Sequence, residues 1–115
     1  MMDENCLFCK IIGGEIPADV IYEDDEVMAF MDIAPQAPVH FLVIPKKHVP
    51  GPAAVGDEDR SLIGRMMQIG GSLAAEKGIG SDFRMVFNNG AKAGQTVFHI
   101  HMHILGGREM LWPPG

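Results

Sequence analysis

Short segments in which apolar and polar residues alternate run through most of the chain, and this period of two predicts β-strands. Turn-forming residues separate the segments, and two prolines exclude regular strand pairing in the loop at 33–38. The predicted strands are Asp19–Tyr22, Val27–Asp32, Val39–Ile44, Phe83–Asn88 and Val97–Leu105. The last two would be antiparallel neighbours if the loop between them is a hairpin connection.

A different period marks one long helix, which we expect from about Asp57 to Lys77. Four apolar residues recur there at helical spacing: Leu62, Met66, Ile69 and Leu73. Acidic residues at the start suit the positive end of a helix, and Gly78 suits its exit. The Gly70-Gly71 pair inside it costs about 1 kcal/mol per glycine relative to alanine. Close packing against a sheet or a second subunit would explain this pair.

A shorter helix is predicted over 6–12, with Asn5 as its cap and Gly13-Gly14 as its end. The elements then follow the order helix, strands, helix, strands. This order predicts an α+β fold, in which an antiparallel sheet of about five strands is covered on one face by the long helix. The length of 115 residues suits a single domain that covers 1–115.

Composition narrows the classes of partner. Apolar residues make up 47% of the chain and charged residues 21%, as in ordinary globular proteins. The net charge of −6 argues against nucleic acid and against anionic membrane surfaces as partners, but it is compatible with a small phosphorylated ligand. The acidic start of the chain is no secretory signal, and no apolar run approaches the length of a membrane span. We therefore expect a cytoplasmic protein.

Three histidines occupy alternate positions in the last predicted strand: His99, His101 and His103. Alternation would place these rings on the face that the long helix leaves open. The opposite face would carry Phe98, Ile100, Met102 and Ile104. Three histidines in register indicate a site, and two chemistries are open. Alternate positions along a strand lie about 6.6–7 Å apart, close enough for two imidazoles to share one zinc ion. In the other chemistry, the central ring attacks phosphorus as a nucleophile.

Two further features accompany the histidines. The Gly94-Gln95-Thr96 turn directly before them offers backbone amides and a hydroxyl to an anion. Cys6 and Cys9 are the two cysteines, and their spacing is C-x-x-C. Without a secretory context a structural disulfide is the weaker interpretation. Half of a metal site, a redox pair and two buried thiols remain open.

Two long motifs resemble the histidine triad (HIT) proteins, namely Asp32–His48 and Gly94–Arg108. The closing Trp112–Gly115 is similar to the ending of the Hint branch, the nucleoside phosphoramidases, and the C-x-x-C pair is of the bacterial type. The resemblance runs from about Cys6 to the C-terminus. It implies the HIT fold, a homodimer, and a tail at 108–115 that contacts the partner subunit.

The same resemblance implies roles for four histidines. His101 would be the nucleophile that carries the nucleotidyl group. His103 would contact the phosphate and assist the leaving amine, and the backbone carbonyl of His99 would orient the ring of His101. His40, on an adjacent strand, would support His101 as a fourth catalytic histidine. Catalysis would require no cofactor.

The resemblance also implies a site for a purine nucleotide of the AMP type. Asp32 would accept hydrogen bonds from both ribose hydroxyls. The phosphate would be bound by Asn88, Gly94, Gln95 and Thr96, and the base cleft would be lined by Phe8, Ile11, Ile16, Phe30 and Ile33. The implied reaction is hydrolysis of a phosphorus–nitrogen bond that releases AMP or GMP. Thr96 and Asn89 replace a usual serine and a frequent acidic residue without changing this reaction class.

By resemblance to the related nucleotidylyltransferase branch, a structural zinc ion would be held by Cys6, Cys9, His48 and His99. Three rival functions remain open. They are a nucleotide-binding regulator with incidental hydrolysis, a metal-dependent hydrolase built on the triad, and a dinucleoside polyphosphate hydrolase. The Hint-like ending argues against the last of these.

Overall fold

The computed structural model describes residues 5–115, which form a five-stranded sheet with a helix over each face. The strands are β1 (Val20–Glu23), β2 (Val27–Met31), β3 (Val39–Pro45), β4 (Phe83–Val86) and β5 (Met102–Gly106). The helices are α1 (Leu7–Ile12) and α2 (Arg60–Glu76), and single 3₁₀ turns lie at Pro52–Ala54, Asp57–Asp59 and Ala91–Ala93. Within the described range, no helix is long and apolar enough to cross a bilayer.

The strands lie side by side in the order β1-β2-β3-β5-β4, and every neighbouring pair is antiparallel. The predicted α+β fold is therefore confirmed, as is the pairing of the last two strands. β3 lies at the centre of the sheet and is buried along nearly its whole length. His40, the one polar side chain of β3, is therefore held inside the molecule.

Strand side chains alternate between two cores, one on each face of the sheet. The first core lies under α2 and includes Val27, Ala29, Phe41, Val43, Met66, Ile69, Leu73, Met102 and Ile104. The second lies under α1 and includes Cys6, Phe8, Cys9, Met28, Phe30, Leu42 and Ile44. The histidine side of the sheet is thus free of the long helix, as predicted, but the short helix partly covers it.

The two adjacent glycines of α2 have different surroundings. A Cβ on Gly70 would lie 2.6 Å from the Cε atom of Met102, whereas a Cβ on Gly71 would meet nothing within 4 Å. Close approach to the sheet therefore explains Gly70 alone. The helix also begins later than predicted, because Asp57–Asp59 form a 3₁₀ turn in which the Asp59 carboxylate accepts from the Gly56 amide.

β5 is shorter than predicted, and of the three histidines only His103 lies in it. β4 ends at Val86, opposite His103, and β3 ends at Pro45, which has no amide hydrogen for a ladder. Segment 97–101 is instead bonded outside the sheet, with the amide of Ile100 donating to the carbonyl of Val49 at 2.6 Å. The strand alternation fails there, and Phe98 is 53% exposed instead of facing the core.

Candidate functional site

The ring of His101 is buried directly before β5, and its orientation is fixed by the main chain. Its Nδ1 lies 2.8 Å from the carbonyl oxygen of His99. Because a carbonyl oxygen can only accept, Nδ1 carries the ring hydrogen and Nε2 keeps its lone pair. Burial lowers the pKa of His101, although the hydrogen bond to His99 opposes this shift. Near pH 7 the ring is therefore neutral, with Nε2 able to act as a nucleophile.

His103 lies beside His101, with the two ring centroids 5.0 Å apart. Its Nδ1 is 2.9 Å from Nε2 of His40. The resemblance implied that His40 supports His101. Among the triad histidines, His40 bonds to His103, because the β3–β5 pairing brings the side chains of His40 and His103 to one face. Burial lowers the pKa of His103 to about 4, with contributions from the neighbouring rings of His101 and His40. The site therefore contains adjacent neutral imidazoles.

His99 faces a different cluster, formed with Cys6, Cys9 and His48. The Cys6 and Cys9 Sγ atoms lie 3.4 and 3.6 Å from His99 Nδ1, and His48 Nδ1 lies 3.4 Å from Cys9 Sγ and 3.1 Å from His99 Nδ1. A tetrahedral zinc ion with ordinary bond lengths separates two nitrogens by roughly 3.3 Å, and a nitrogen from a sulfur by roughly 3.6 Å. The donor set and the spacing therefore fit zinc.

The hydrogen bond on the other side of the His99 ring supports the same assignment. Its Nε2 lies 2.8 Å from the carbonyl oxygen of Pro45, so Nε2 carries the hydrogen and Nδ1 is free to ligate a metal. Burial, with the neighbouring His48 and His101, lowers the pKa of His99 to about 4, which keeps this nitrogen unprotonated. Burial also raises the pKa of Cys6, so the protein groups alone do not favour the thiolate that either a zinc site or a redox pair requires.

A second cluster, formed by Asp32, His40 and His103, does not fit a metal as well. Its ligand atoms lie within 4.8 Å of one another. However, the backbone amide of Gln36 donates to Nδ1 of His40 at 3.0 Å, so the neutral His40 ring must carry its hydrogen on Nε2. A metal-bound imidazole needs the opposite arrangement, in which the other ring nitrogen donates. The sequence did not single out Gln36, and only its position in the proline-rich loop hints at a role.

The Gly94-Gln95-Thr96 turn is partly committed to internal hydrogen bonds. The amide of Gly94 donates to the carbonyl of Ala91, and that of Gln95 to the carbonyl of Gly90, each at 3.1 Å. The Gln95 side chain accepts from the Gly90 amide and donates to the Pro50 and Val97 carbonyls. Within residues 5–115, the amide and hydroxyl of Thr96 have no such partner. Thr96 is therefore the group of this turn that can bind an anion without a rearrangement.

Two other expected ligand contacts lie at the ends of strands. Asp32 follows β2, where its Oδ1 accepts from the Ala34 amide at 2.8 Å and its Oδ2 lies 3.4 Å from Nε2 of His40. Asn88 follows β4, and its amide nitrogen is 3.7 Å from the place that a Cβ of Gly94 would occupy. Gly94 has φ +97°, which favours glycine. The fold thus brings Asn88 to the turn and Asp32 to the histidines.

The side chains expected to line a base cleft differ widely in exposure. Phe8 packs edge-on against Phe30 in the second core, with ring centroids 5.4 Å apart, and Ile11 borders that core. Ile16 is half-buried, and Ile33 is 99% exposed. Phe8 also reaches the histidine triad, with its ring centroid 5.0 Å from that of His101. Phe8 is therefore the member of this set that the structure places in direct contact with the triad.

A cleft with a volume of about 820 Å³ lies away from the triad, between segments 78–84 and 107–110. Its lining contains no histidine, and it borders the start of the C-terminal tail. The tail itself is exposed, with Leu111 at 71% and Trp112 at 82%. The fold therefore places this cleft and the histidine triad in different parts of the molecule.

Comparison with known proteins identifies the family. The sequence profile of the HIT domain matches residues 13–110. An uncharacterised HIT-like protein of Synechocystis is 55% identical over 114 residues, which are 99% of this chain and 100% of the relative. A HIT family hydrolase from Legionella pneumophila is 51% identical, with a TM-score of 0.94 over 96% of this chain and 100% of that one. The histidine triad nucleotide-binding protein of Candida albicans is 32% identical, with a TM-score of 0.78 over 87% and 73% of the two chains. The chain therefore belongs to the HIT family.

Proposed function

We propose that the protein is a hydrolase that cleaves the phosphorus–nitrogen bond of purine nucleoside phosphoramidates through a nucleotidyl intermediate on His101. The observation that carries this proposal is the hydrogen bond from Nδ1 of His101 to the carbonyl of His99, which leaves Nε2 as a free nucleophile. The solved relative from Legionella pneumophila is named a hydrolase, and the one from Candida albicans a nucleotide-binding protein. Both names agree with this chemistry.

The reaction would have two steps. In the first, Nε2 of His101 forms a bond to the α-phosphorus, and the phosphorus–nitrogen bond breaks as the amine leaves with the electron pair and takes up a proton from solvent water. In the second, water attacks the same phosphorus, the bond to Nε2 breaks, and the nucleoside monophosphate leaves with release of a proton. Dividing the reaction in this way lowers each barrier because a nucleotidyl-imidazole is itself reactive.

Substrate binding would use the groups that surround the triad. Asp32 would accept from the ribose hydroxyls, while Thr96 and Asn88 would bind the phosphate. The base would lie against the apolar surface near Ile33, whose complete exposure leaves its side chain available to a ligand. The Gly94 and Gln95 amides would reach the phosphate only after release of their present bonds within the turn.

The test is hydrolysis of a fluorogenic adenosine phosphoramidate, with intact-mass detection of the trapped nucleotidyl adduct. His101→Ala should lower kcat at least about a thousandfold, because the nucleophile is lost, while AMP binding persists. An assay with a dinucleoside polyphosphate runs in parallel. A wild-type protein that binds AMP but cleaves neither substrate would instead be a nucleotide-binding regulator.

We further propose that Cys6, Cys9, His48 and His99 hold a structural zinc ion. Four protein ligands complete a tetrahedral shell, so the ion would have no open position for substrate. Its contribution would be to tie α1 to the loop after β3 and to the segment before β5. His101 remains outside this set of ligands and stays free for attack.

We propose a homodimer in which the tail at 108–115 contacts the partner subunit. Two apolar side chains of the tail, Leu111 and Trp112, are largely exposed in the single chain. β4 is an edge strand, and the cleft of about 820 Å³ lies beside it. Exposed apolar surface next to an unpaired strand edge favours association.

A further inference from the structure

We propose that the backbone amide of Gln36, acting through His40, fixes His103 as a neutral ring that donates a hydrogen bond from Nε2. The inference rests on the proposed function, in which His103 would then bind a phosphoryl oxygen as a donor and would not protonate the leaving amine. His40 is on this account a positioning residue, and the loop at 33–38 takes part in setting up the site.

The state of His40 follows from the contact at its Nδ1. The Gln36 amide hydrogen points at this nitrogen, and the nitrogen–nitrogen distance is 3.0 Å. An amide N–H can only donate, so Nδ1 of His40 must accept and cannot carry a hydrogen of its own. A neutral imidazole has one hydrogen, which therefore lies on Nε2. His40 is 3% exposed, which excludes bulk water as a competing partner for the ring.

The state of His103 follows in the same way. The Nε2 hydrogen of His40 has two nearby acceptors, Nδ1 of His103 at 2.9 Å and a carboxylate oxygen of Asp32 at 3.4 Å. The shorter distance is within the normal range for a hydrogen bond, so His103 is the main acceptor. Since its Nδ1 accepts, the neutral ring of His103 carries its hydrogen on Nε2.

The loop that supplies the Gln36 amide is itself held in place. Arg108 donates from Nε to the Gln36 carbonyl at 3.1 Å, and the Gln36 side chain donates to the Ala34 carbonyl at 2.9 Å. Asp32 accepts from the Ala34 amide, which closes the first turn of the loop. The amide is therefore preorganised, and a preorganised donor loses little free energy when the reaction begins.

In this arrangement the adjacent rings of His101 and His103 differ in whether Nε2 carries a hydrogen. His101 presents a bare Nε2, whereas His103 presents an Nε2–H. A neutral imidazole that gave up this hydrogen would become an imidazolate anion, which is unfavourable at neutral pH. A hydrogen bond to the phosphoryl oxygens requires no such transfer, and it strengthens as negative charge develops there.

The first experiment reads the hydrogen positions directly in the wild-type protein. Uniformly ¹⁵N-labelled protein at pH 7 should show a protonated Nε2 and an unprotonated Nδ1 for both His40 and His103. Couplings across the two N–H···N bonds should link the Gln36 amide to His40 and then His40 to His103. A hydrogen on Nδ1 of His103, or on both of its nitrogens, would overturn the proposal.

The second experiment reverses the hydrogen bond with a pair of variants of equal shape. His40→Gln can still donate to Nδ1 of His103, so its His103 ring should keep the hydrogen on Nε2. His40→Glu can only accept in its ionised form, so it should move a hydrogen to Nδ1 of His103 and have a kcat/KM about tenfold or more below that of His40→Gln. A His40→Glu variant more active than wild type would show that a charged His103 is the useful form and would overturn the proposal.

The two experiments separate this inference from the proposed function. If the wild-type protein cleaves no phosphoramidate, the function fails, while the NMR result still decides the state of His103. If either variant does not fold, the wild-type spectrum remains a sufficient test.

Discussion

Main-chain groups determine which ring nitrogen carries the hydrogen in three of the histidines. The Pro45 carbonyl turns Nδ1 of His99 toward the cysteines, the His99 carbonyl leaves Nε2 of His101 bare, and the Gln36 amide places the hydrogen of His40 on Nε2. The spacing of the histidines predicted that they carry chemistry. The spacing could not predict the states of His99 and His40, because Pro45 and Gln36 are distant from these histidines or outside the triad pattern, whereas the resemblance had implied the contact between the His99 carbonyl and the ring of His101.

The metal site gives a prediction at the same scale. Wild-type protein should contain one zinc ion per chain, and Cys9→Ser should remove it and lower the Tm. Saturation at a hundredfold excess of free zinc over Kd stabilises the folded state by about 2.7 kcal/mol, and the variant loses this contribution. Plasma mass spectrometry and thermal denaturation measure the two effects.

Chelated wild-type protein is the control for that experiment. It should match the Tm of Cys9→Ser and should keep its phosphoramidase activity at temperatures well below the transition. Activity that disappears on chelation and returns with zinc would contradict a structural role and would favour a metal-dependent hydrolase.

At the scale of elements, Asp24 connects the β1–β2 turn to α2. Its carboxylate accepts from the amides of Glu26 and Val27 at 2.7 and 2.8 Å, from the Tyr22 hydroxyl at 2.7 Å, and from the Arg65 guanidinium. Burial raises the pKa of this carboxyl, but the hydrogen bonds from Tyr22, the amides and Arg65 outweigh it and hold the pKa well below its usual value.

Asp24→Asn should therefore destabilise the fold by roughly 1 kcal/mol, since the site is partly exposed. The wild-type carboxylate stabilises the folded state above its unfolded pKa of about 4, and this contribution is lost as the pH falls through the lower folded value. Urea denaturation between neutral and acid pH should thus show a difference between wild type and variant that shrinks on acidification.

Glu26→Gln is the matched control in the same turn. Its carboxylate is 59% exposed and lies 3.4 Å from Nε of Arg65, so the substitution should change stability little at any pH. An equal loss in both variants would show that general charge, and not the bonds of Asp24, stabilises the turn.

Elements whose own residues show a clear periodicity were predictable, whereas the residue at which β5 begins was not. The stripe that includes Met66 and Leu73 marks α2, and the alternation through β3 marks a central strand. The alternation of 97–101 is equally regular, but a strand needs paired neighbours, and the pairing with both β4 and β3 stops before this segment. The length of β5 therefore depends on how far β3 and β4 pair with it.

At the scale of the whole molecule, the exposed tail gives a further prediction. Wild-type protein should sediment as a dimer of twice 12.5 kDa. Trp112→Ala should leave the fold of each chain intact, as read by circular dichroism, because the side chain is 82% exposed in the single chain. It should lower kcat/KM on the order of tenfold if the indole completes the partner's site, the usual effect of removing an aromatic anchor.

Val20→Thr is the control for the tail variant. Val20 is 43% exposed on β1, the opposite edge of the sheet from β4, so its substitution should alter neither mass nor activity. A monomeric wild-type protein would contradict the proposed dimer, and full activity of Trp112→Ala would contradict the role of the tail.

The sequence by itself determined the class of fold and marked three alternating histidines and a C-x-x-C pair as the candidates for chemistry, because periodicity and residue type are local properties. Tertiary structure decided that His99 lies within hydrogen-bonding distance of both cysteines, which nitrogen each ring presents, and that His40 contacts His103. These outcomes depend on where β3, β4 and the loop at 33–38 end in space. A hydrogen bond is set by atoms within about 3 Å, whatever their separation along the chain.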